Sequence, residues 1–496
     1  MVPNNLKRFV RIDILLVVLI LVGVFFRFYQ LDTHLLGDEV IYGIASMKFH
    51  RESFDAGKNY VREHPPLGKW FIGLPAVFIE GDYSSLRLLG TDLFVWSYMT
   101  YGPLSKNYVA MRTVEAIGGV IALFLIFLIS KQLFGTRAAL WSTVIASLSF
   151  EMIGYSRIIY METPMIVFTL LSLFLYINYL KSSGKRRTAY FIAFLVSITI
   201  TLLTRGIQPI FLLPIFVVCQ FLLNRNIKEN VYFLLFLGIS YFIAYQVIFP
   251  FDIVGYGPGR YGQSNIFGLV SFKMFTVIGH LIFRNSLLFL AALIATGYIV
   301  FQAGKKIHEK INPVVLLYFG LAFLIFSFLS FPLPRHYIFM FLPLYIIGGY
   351  ALNSISKNKV LAVVIVILAL VNVVQLPQYA PYFLMYTNFG LEAFQGAGIV
   401  QSALTKGLDA ANSANATRIM TNDMNTLIFF KGDKLPLTPS IDGVCNNETI
   451  DSMDLDDLTV IYVPHSKQFN LVSDPYVCPM LKEKLSQSVN VKVLEV

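Results

Sequence analysis

Charged residues are scarce in this sequence, and so are cysteines. Only 14% of the 496 residues are Asp, Glu, Lys or Arg, whereas 56% are hydrophobic, and the mean hydropathy is +0.66. This composition excludes an ordinary soluble domain. With three cysteines, the chain has neither a dense disulfide framework nor a cysteine-rich zinc module. The sequence therefore predicts a polytopic membrane protein.

The net charge of +10 raises the alternative of a nucleic-acid-binding protein. The Lys and Arg residues, however, lie in short clusters between apolar runs, which is the pattern that sets membrane topology. We therefore exclude nucleic acid as a partner.

Apolar stretches that can cross about 30 Å of hydrocarbon number about eleven. Their centres are Leu19, Leu123, Ala146, Leu171, Leu195, Phe216, Leu237, Ala292, Phe323, Leu344 and Val366. Every second loop is short and basic, beginning with the N-terminal Lys7, Arg8 and Arg11. This alternation predicts an integral protein of the cell membrane with a cytoplasmic N-terminus and an extracytoplasmic C-terminal segment.

The predicted organisation has two parts. Residues 1–375 form the transmembrane domain, whose first outer loop is long and covers about 32–107. Within that loop, 70–79 is apolar but too short to span, and is predicted to lie at the surface as an amphipathic helix. Residues 376–496 are more polar and are predicted to form a small extracytoplasmic α/β domain. Its predicted strands are at Ile419, 459–463 and 489–494.

Candidate chemistry gathers at the outer ends of the spans. Asp38 and Glu39 are adjacent carboxylates just after the first span, and His64 and Lys69 follow in the same loop. A carboxylate at the membrane surface can act as a general base toward a hydroxyl. Cations at the same surface, Lys69 among them, can offset the charge of a phosphate leaving group.

Several short motifs carry a family resemblance. They are Gly37-Asp38-Glu39, His64-Pro65-Pro66-Leu67-Gly68-Lys69, Arg112, Ser156-Arg157 with Glu162, Leu203-Thr204-Arg205-Gly206, and Pro334-Arg335-His336-Tyr337 with Pro343. In this arrangement the chain resembles the dolichyl-phosphate-mannose protein mannosyltransferases and the lipid A aminoarabinose transferases of the GT-C superfamily. It departs from them in having Glu162 where relatives often have Asp and Arg205 where they have Lys.

The resemblance implies a mainly α-helical GT-C fold and a glycosyltransferase that works outside the cytoplasmic face. It would transfer a mannose-like hexose, with inversion, from a polyprenyl- or dolichyl-phosphate donor to a hydroxyl of a protein, glycan or lipid. Asp38 would be the base, and Glu39 would orient Asp38 or the sugar. The residues implied at the donor and its phosphate are His64, Lys69, Arg205 and Arg335. The supporting residues are Arg112, Arg157, Glu162 and Tyr337.

Alternatives stay open at this point. A transporter or flippase of lipid-linked saccharides is the main competing function, and a membrane receptor is another. Arg157 and Glu162 can also form a purely structural ion pair. The site works either without a metal or with Mg²⁺ or Mn²⁺ on Asp38 and Glu39, which carry hard oxygen ligands. The pairing of Cys445 with Cys478 and the oligomeric state stay open as well.

Overall fold

The computed structural model describes most of the membrane domain and three strands of the C-terminal segment. The described residues are 4–29, 31, 37–59, 65–79, 105–205, 208–248, 286–303, 313–328, 338–379, 418–421, 458–462 and 492–495. The predicted site residues His64, Arg335 and Tyr337 lie outside them, as do Cys445 and Cys478.

The described chain is mainly α-helical, as predicted. The first seven helices are α1 (Asn4–Phe28), α2 (Gly37–Arg51), α3 (Phe54–Asn59), α4 (Pro66–Gly73), α5 (Ser105–Phe134), α6 (Thr136–Ser147) and α7 (Phe150–Tyr155). The next four are α8 (Glu162–Lys181), α9 (Gly184–Thr204), α10 (Leu212–Leu223) and α11 (Ile227–Phe242). The last four are α12 (Leu287–Ala303), α13 (Pro313–Phe328), α14 (Ile338–Ile355) and α15 (Lys359–Tyr379).

Each of the predicted span centres falls inside one of these helices. By length and composition, four helices of the described chain can cross a membrane, at 106–134, 162–181, 184–204 and 227–246, and five further apolar helices are shorter. The full number of spans therefore stays a prediction. The span predicted around Ala146 is wrong as one helix, because α6 has only 12 residues and the separate helix α7 follows.

Small residues let the helices pack closely around α6. A methyl group added at Gly23 of α1 would collide with the backbone of Ser147, and one added at Gly349 of α14 would collide with Ser142. Ser142 also donates a hydrogen bond to the carbonyl of Ile346 on α14, at 3.2 Å. Helices in lipid associate through such close contacts, since apolar surface alone gives them little advantage there. Helix α6 is therefore packed closely against α1 and α14, and it also contacts α5.

The three predicted strands are present, as β1 (Arg418–Thr421), β2 (Leu458–Tyr462) and β3 (Lys492–Glu495). They form a parallel sheet in the order β1-β2-β3, with Ile419 opposite Thr459 and Val460 opposite Val493. Parallel neighbours need crossover connections of a dozen or more residues, and both connections here are longer than that. The predicted domain boundary and the extracytoplasmic position of this segment stay predictions. Helix α15 continues to Tyr379, past the predicted end of the membrane domain.

Candidate functional site

The adjacent carboxylates Asp38 and Glu39 lie in the first turn of α2, which begins at Gly37. The predicted first outer loop, 32–107, is thus helical at this point. The exposed backbone N–H groups at a helix N-terminus favour negatively charged side chains in the first turn. Glu39 is fully buried, whereas for Asp38 the structure describes the backbone only. The helix start therefore presents both residues at one end of α2.

Arg112 of α5 forms a bidentate ion pair with the Glu39 carboxylate. Its Nε and Nη2 donate to the two carboxylate oxygens at 2.9 and 2.7 Å, and its Nη1 donates to the carbonyl of Leu31 at 2.9 Å. The backbone N–H of Ile159 donates to the same carboxylate at 2.9 Å. Planar pairing of guanidinium and carboxylate is strong and directional. Glu39 is thus rigidly positioned by contacts from two other parts of the chain.

Arg157 supports the same region from the turn between α7 and α8. Its Nη1 donates to the carbonyl of Phe26 in the last turn of α1, at 2.8 Å, where a cation complements the helix dipole. Burial and the charge of Arg112 lower the pKa of Arg157 to about 10, and Glu39 acts in the opposite direction. Arg157 therefore keeps its positive charge at neutral pH.

A second buried ion pair joins Arg205 and Glu162. Arg205 follows the last residue of α9, and its Nη2 lies 3.0 Å from the Glu162 carboxylate at the start of α8. Both side chains are almost fully buried. The Arg205 guanidinium also lies 6.0 Å from the ring centroid of Tyr42, which is one helical turn from Glu39 on α2. Helix α2 therefore links the two ion pairs.

The Pro-Pro-Leu-Gly-Lys segment forms the buried helix α4. Pro66 starts it, since proline suits the first helical position. A methyl group added at Gly68 would collide with the carbonyl of Thr204, the residue before Arg205. This close approach brings α4 against the end of α9. The next residue, Lys69, is fully buried, with its ammonium 5.7 Å from the centroid of the Phe49 ring.

Helix α4 also corrects the prediction of a surface helix over 70–79. The helix begins earlier, at Pro66, ends at Gly73 and continues as a 3₁₀ turn to Val77. It packs against α2, α5 and α9. Gly73 lies close to the carbonyl of Ser46 on α2, where no Cβ would fit. The segment is therefore part of the bundle and helps to build the site.

Six of the predicted site residues are charged and have side chains that the structure describes, and all six are buried in this region of the bundle. We call them the charge cluster, and its members are Glu39, Lys69, Arg112, Arg157, Glu162 and Arg205. The ion pair of Glu162 that the structure shows is with Arg205. Sequence analysis missed Glu115, a buried carboxyl of α5 that lies near Glu39 and Glu162. Its position three residues after Arg112, inside an apolar span, was the available signal.

A divalent metal fits the described residues poorly. No group of three His, Cys, Asp or Glu side chains gathers as a metal site within the described ranges. Both Glu39 oxygens accept hydrogen bonds from Arg112, whose positive charge opposes a cation at the same place.

Comparisons with known proteins agree with this picture. The family model for dolichyl-phosphate-mannose-protein mannosyltransferase matches residues 15–256. An uncharacterized protein of Aquifex aeolicus (strain VF5) is 27% identical over 290 residues, covering 55% of this chain and 55% of that protein. The chain therefore spans about half the length of this curated relative. The match to the family model contains the entire charge cluster.

Solved structures show a distant similarity of shape. Apo ArnT from Cupriavidus metallidurans has a TM-score of 0.45 and 16% identity, covering 70% of this chain and 60% of that one. The same protein bound to undecaprenyl phosphate has a TM-score of 0.42 and 17% identity, covering 68% and 59%. An Archaeoglobus fulgidus oligosaccharyltransferase complex with Zn and sulfate has a TM-score of 0.42 and 13% identity, covering 74% and 52%.

The buried charges, the apolar helices and the match over residues 15–256 thus lead to one assignment. The chain is a membrane protein that is similar, over residues 15–256, to the dolichyl-phosphate-mannose-protein mannosyltransferases.

Proposed function

We propose that this protein transfers a hexose, mannose or a similar sugar, from a polyprenyl-phosphate donor to a hydroxyl group. The acceptor is a hydroxyl of a protein, a glycan or a lipid, and the reaction takes place on the extracytoplasmic side with inversion at the anomeric carbon. The name of the matching family, which uses a dolichyl-phosphate sugar, supports this class of donor.

The observation that carries the proposal is the set of hydrogen bonds that Glu39 accepts from Arg112 and Ile159. Arg112 and the Ile159 amide occupy its carboxylate, so Glu39 serves to position the start of α2. The preceding residue, Asp38, is then the candidate base. It takes the proton from the acceptor hydroxyl while the hydroxyl oxygen attacks the anomeric carbon and the bond to phosphate breaks. A positioned base of this kind contributes about 10²- to 10⁴-fold to a rate.

Other cations of the charge cluster have a role at the phosphate leaving group. Breaking the sugar–phosphate bond adds negative charge to the lipid phosphate, and cations at fixed positions stabilise such charge. We assign this role to Arg205 and Lys69, whose segments meet where Gly68 packs on Thr204. His64 and Arg335 are further candidates from the sequence, and Tyr337 is a supporting residue.

The experiment is transfer from polyprenyl-phosphate-mannose to peptide and glycan acceptors by the purified protein. We expect transfer by the wild type, and a loss of at least about 10²-fold in Asp38→Asn, because the general base is removed. Asp55→Asn is the matched control, since Asp55 is an exposed carboxylate on the neighbouring helix α3. It should behave as wild type.

Two results would overturn the proposal. One is equal transfer by the wild type and Asp38→Asn. The other is the absence of transfer with a broad panel of donors, combined with movement of the intact lipid-linked sugar across proteoliposomes. The second result would establish the flippase alternative.

A further inference from the structure

A cleft opens between helices at the end of the bundle opposite the charge cluster. Its walls come from the last turn of α8, the first turn of α9, the end of α10 and the start of α13, and its volume is about 370 Å³. Glu162 of the charge cluster begins α8 and Lys181 ends it, so this 20-residue helix separates the two places by about 30 Å. The cleft is therefore distinct from the site of the proposed reaction.

The lining of the cleft combines hydrocarbon with positive charge. Its apolar residues are Ile177, Leu180, Leu223 and Val314. Its polar residues are Lys181, Arg187 and Asn224. A volume of this size lies within the range of small-molecule binding sites. A ligand that matches both parts of the lining carries a negative group and an apolar one.

Arg187 is fixed in position at this cleft. Its Nη2 donates to the carboxylate of Glu229 on α11 at 2.5 Å, and its guanidinium lies 5.0 Å from the centroid of the Tyr179 ring. Asn224 donates to the same Glu229 oxygen at 2.8 Å. A guanidinium has five N–H donors, so the bond to Glu229 leaves several of them for a ligand. Planar groups of this kind suit phosphate.

Lys181 adds a second cation at the cleft. Its ammonium donates to the backbone carbonyl of Gln132 on α5 at 3.3 Å. An ammonium has three donors, so Lys181 can bind a ligand while it keeps this contact. Helices α9 and α13 both begin at the cleft, and the positive ends of their dipoles also favour an anion.

The two connections beside the cleft are strongly basic. Residues 181–187 and 224–229 contain six Lys and Arg side chains against one carboxylate, that of Glu229. The cations are Lys181, Lys185, Arg186, Arg187, Arg225 and Lys228. Because Glu229 neutralises only one of them, an anion is attracted to this end of the bundle.

The surface next to the cleft is suited to lipid. Phe221 and Leu222, which directly precede the lining residue Leu223 on α10, are 48% and 62% exposed. Exposed hydrophobic side chains in a membrane protein contact lipid chains. The charge pattern of the loops predicts that this end is cytoplasmic, where anionic phospholipids give the leaflet a negative surface. Basic pockets between membrane helices on that side suit anionic headgroups.

From these contacts we propose that the cleft binds an anionic phospholipid of the cytoplasmic leaflet. Lys181 and Arg187 hold the phosphate of the headgroup, and the apolar lining contacts the first part of an acyl chain. The proposal does not rest on the proposed function, since the charge cluster lies at the other end of α8.

Native mass spectrometry of the purified protein in a neutral detergent measures the binding of defined lipids. Phosphatidylglycerol should bind at least about tenfold more tightly than phosphatidylcholine, whose net charge is zero, because one hydrogen bond to a charged group contributes about tenfold or more to an affinity. Lys181→Gln combined with Arg187→Gln should remove this preference. Lys181→Gln alone, which leaves the Arg187–Glu229 pair in place, should remove part of it.

The matched control combines Lys185→Gln with Arg186→Gln. These two cations are exposed, belong to the same connection and do not line the cleft, so their removal should leave the affinity for phosphatidylglycerol close to wild type. Equal losses in the two double variants would overturn the proposal, because they would show general attraction to a basic surface. Equal binding of the two lipids by the wild type would overturn it as well.

Competition separates the two sources of phosphate. Inorganic phosphate and glycerol phosphate carry the anion without the hydrocarbon, and at concentrations equimolar with phosphatidylglycerol neither should displace the lipid. Displacement by either one would overturn the assignment to a lipid and would identify a site for a soluble phosphate.

Discussion

The first 205 residues and the helices after them bury very different side chains. Within the described chain, the buried charged residues are Arg27, Glu39, Lys48, Lys69, Arg112, Glu115, Glu151, Arg157, Glu162 and Arg205. The buried polar side chains of the described helices from α10 to α15 and their flanking residues are neutral, namely Gln220, Asn230, Ser240, Ser286 and Asn372. Among the residues that the structure describes, buried charges therefore lie only between Arg27 and Arg205.

The two regions differ in what their buried groups require from their surroundings. A neutral group needs only a few hydrogen bonds, as when Gln220 donates to Asn230 at 3.1 Å and accepts from Tyr176 at 3.2 Å. A buried charge needs an opposite charge in good geometry, and otherwise costs several kcal/mol. Ionisable residues within membrane helices are costly and by default point to a function. Among the later helices, α14 packs against α5 and α6, and α11 packs against α9.

The largest effect should come from breaking the buried pair of the first half. Removing one partner of a buried ion pair typically costs about 3–5 kcal/mol, because the other charge stays buried alone. We expect Arg112→Gln to lower the unfolding temperature in detergent strongly and to abolish sugar transfer. Thermal unfolding and the transfer assay measure the two effects.

The matched control is Arg187→Gln on α9. Arg187 pairs with Glu229 at 2.5 Å, but both side chains are about one-third exposed. Pairs of this kind contribute about 0–1 kcal/mol. If Arg187→Gln destabilised the protein as much as Arg112→Gln, the contrast between the two halves would be wrong.

The next effect concerns close packing. Gly68→Ala should reduce transfer by at least about tenfold, because its methyl group must push α4 away from Thr204 and thereby shift Lys69 relative to Arg205. Gly297→Ala on α12 is the control, since nothing lies within 4 Å of a methyl group there. It should keep full activity and should be at least as stable as wild type. Equal losses in both variants would show that packing at α4 is not special.

A smaller effect is expected at the second ion pair. Arg205→Lys keeps the positive charge but replaces a planar fork by a point charge. We expect the donor KM to rise several-fold while kcat changes less, because the change affects how the phosphate is held. Steady-state kinetics with varied donor concentration separates the two. A drop in kcat at unchanged KM would remove Arg205 from the phosphate site.

The smallest effect should follow removal of divalent metal. Since Arg112 occupies the Glu39 carboxylate, we expect transfer to continue in EDTA at nearly the untreated rate. Added Mg²⁺ or Mn²⁺ should change the rate little. Loss of activity in EDTA that either ion restores would establish an essential metal and a different role for Asp38 and Glu39.

Local patterns were predictable where they depend on neighbours in the chain. Apolar runs located the helices, β-branched runs located the three strands, and Pro66 marks a helix start that the sequence analysis placed four residues too late. The partners of buried charges were not predictable in this way. Arg112 and Glu39 are 73 residues apart, and Glu115 drew no attention because its neighbours in sequence are apolar.

The sequence by itself determined that this chain is a helical membrane protein with its carboxylate and cationic motifs outside the apolar cores of the spans. Only the tertiary structure decided that Arg112 pairs with Glu39 and that Arg205 pairs with Glu162. The physical reason is the distance along the chain over which each effect acts. Hydrophobicity and turn chemistry act over a few residues, whereas a buried charge is stabilised by whichever distant segment the fold brings against it.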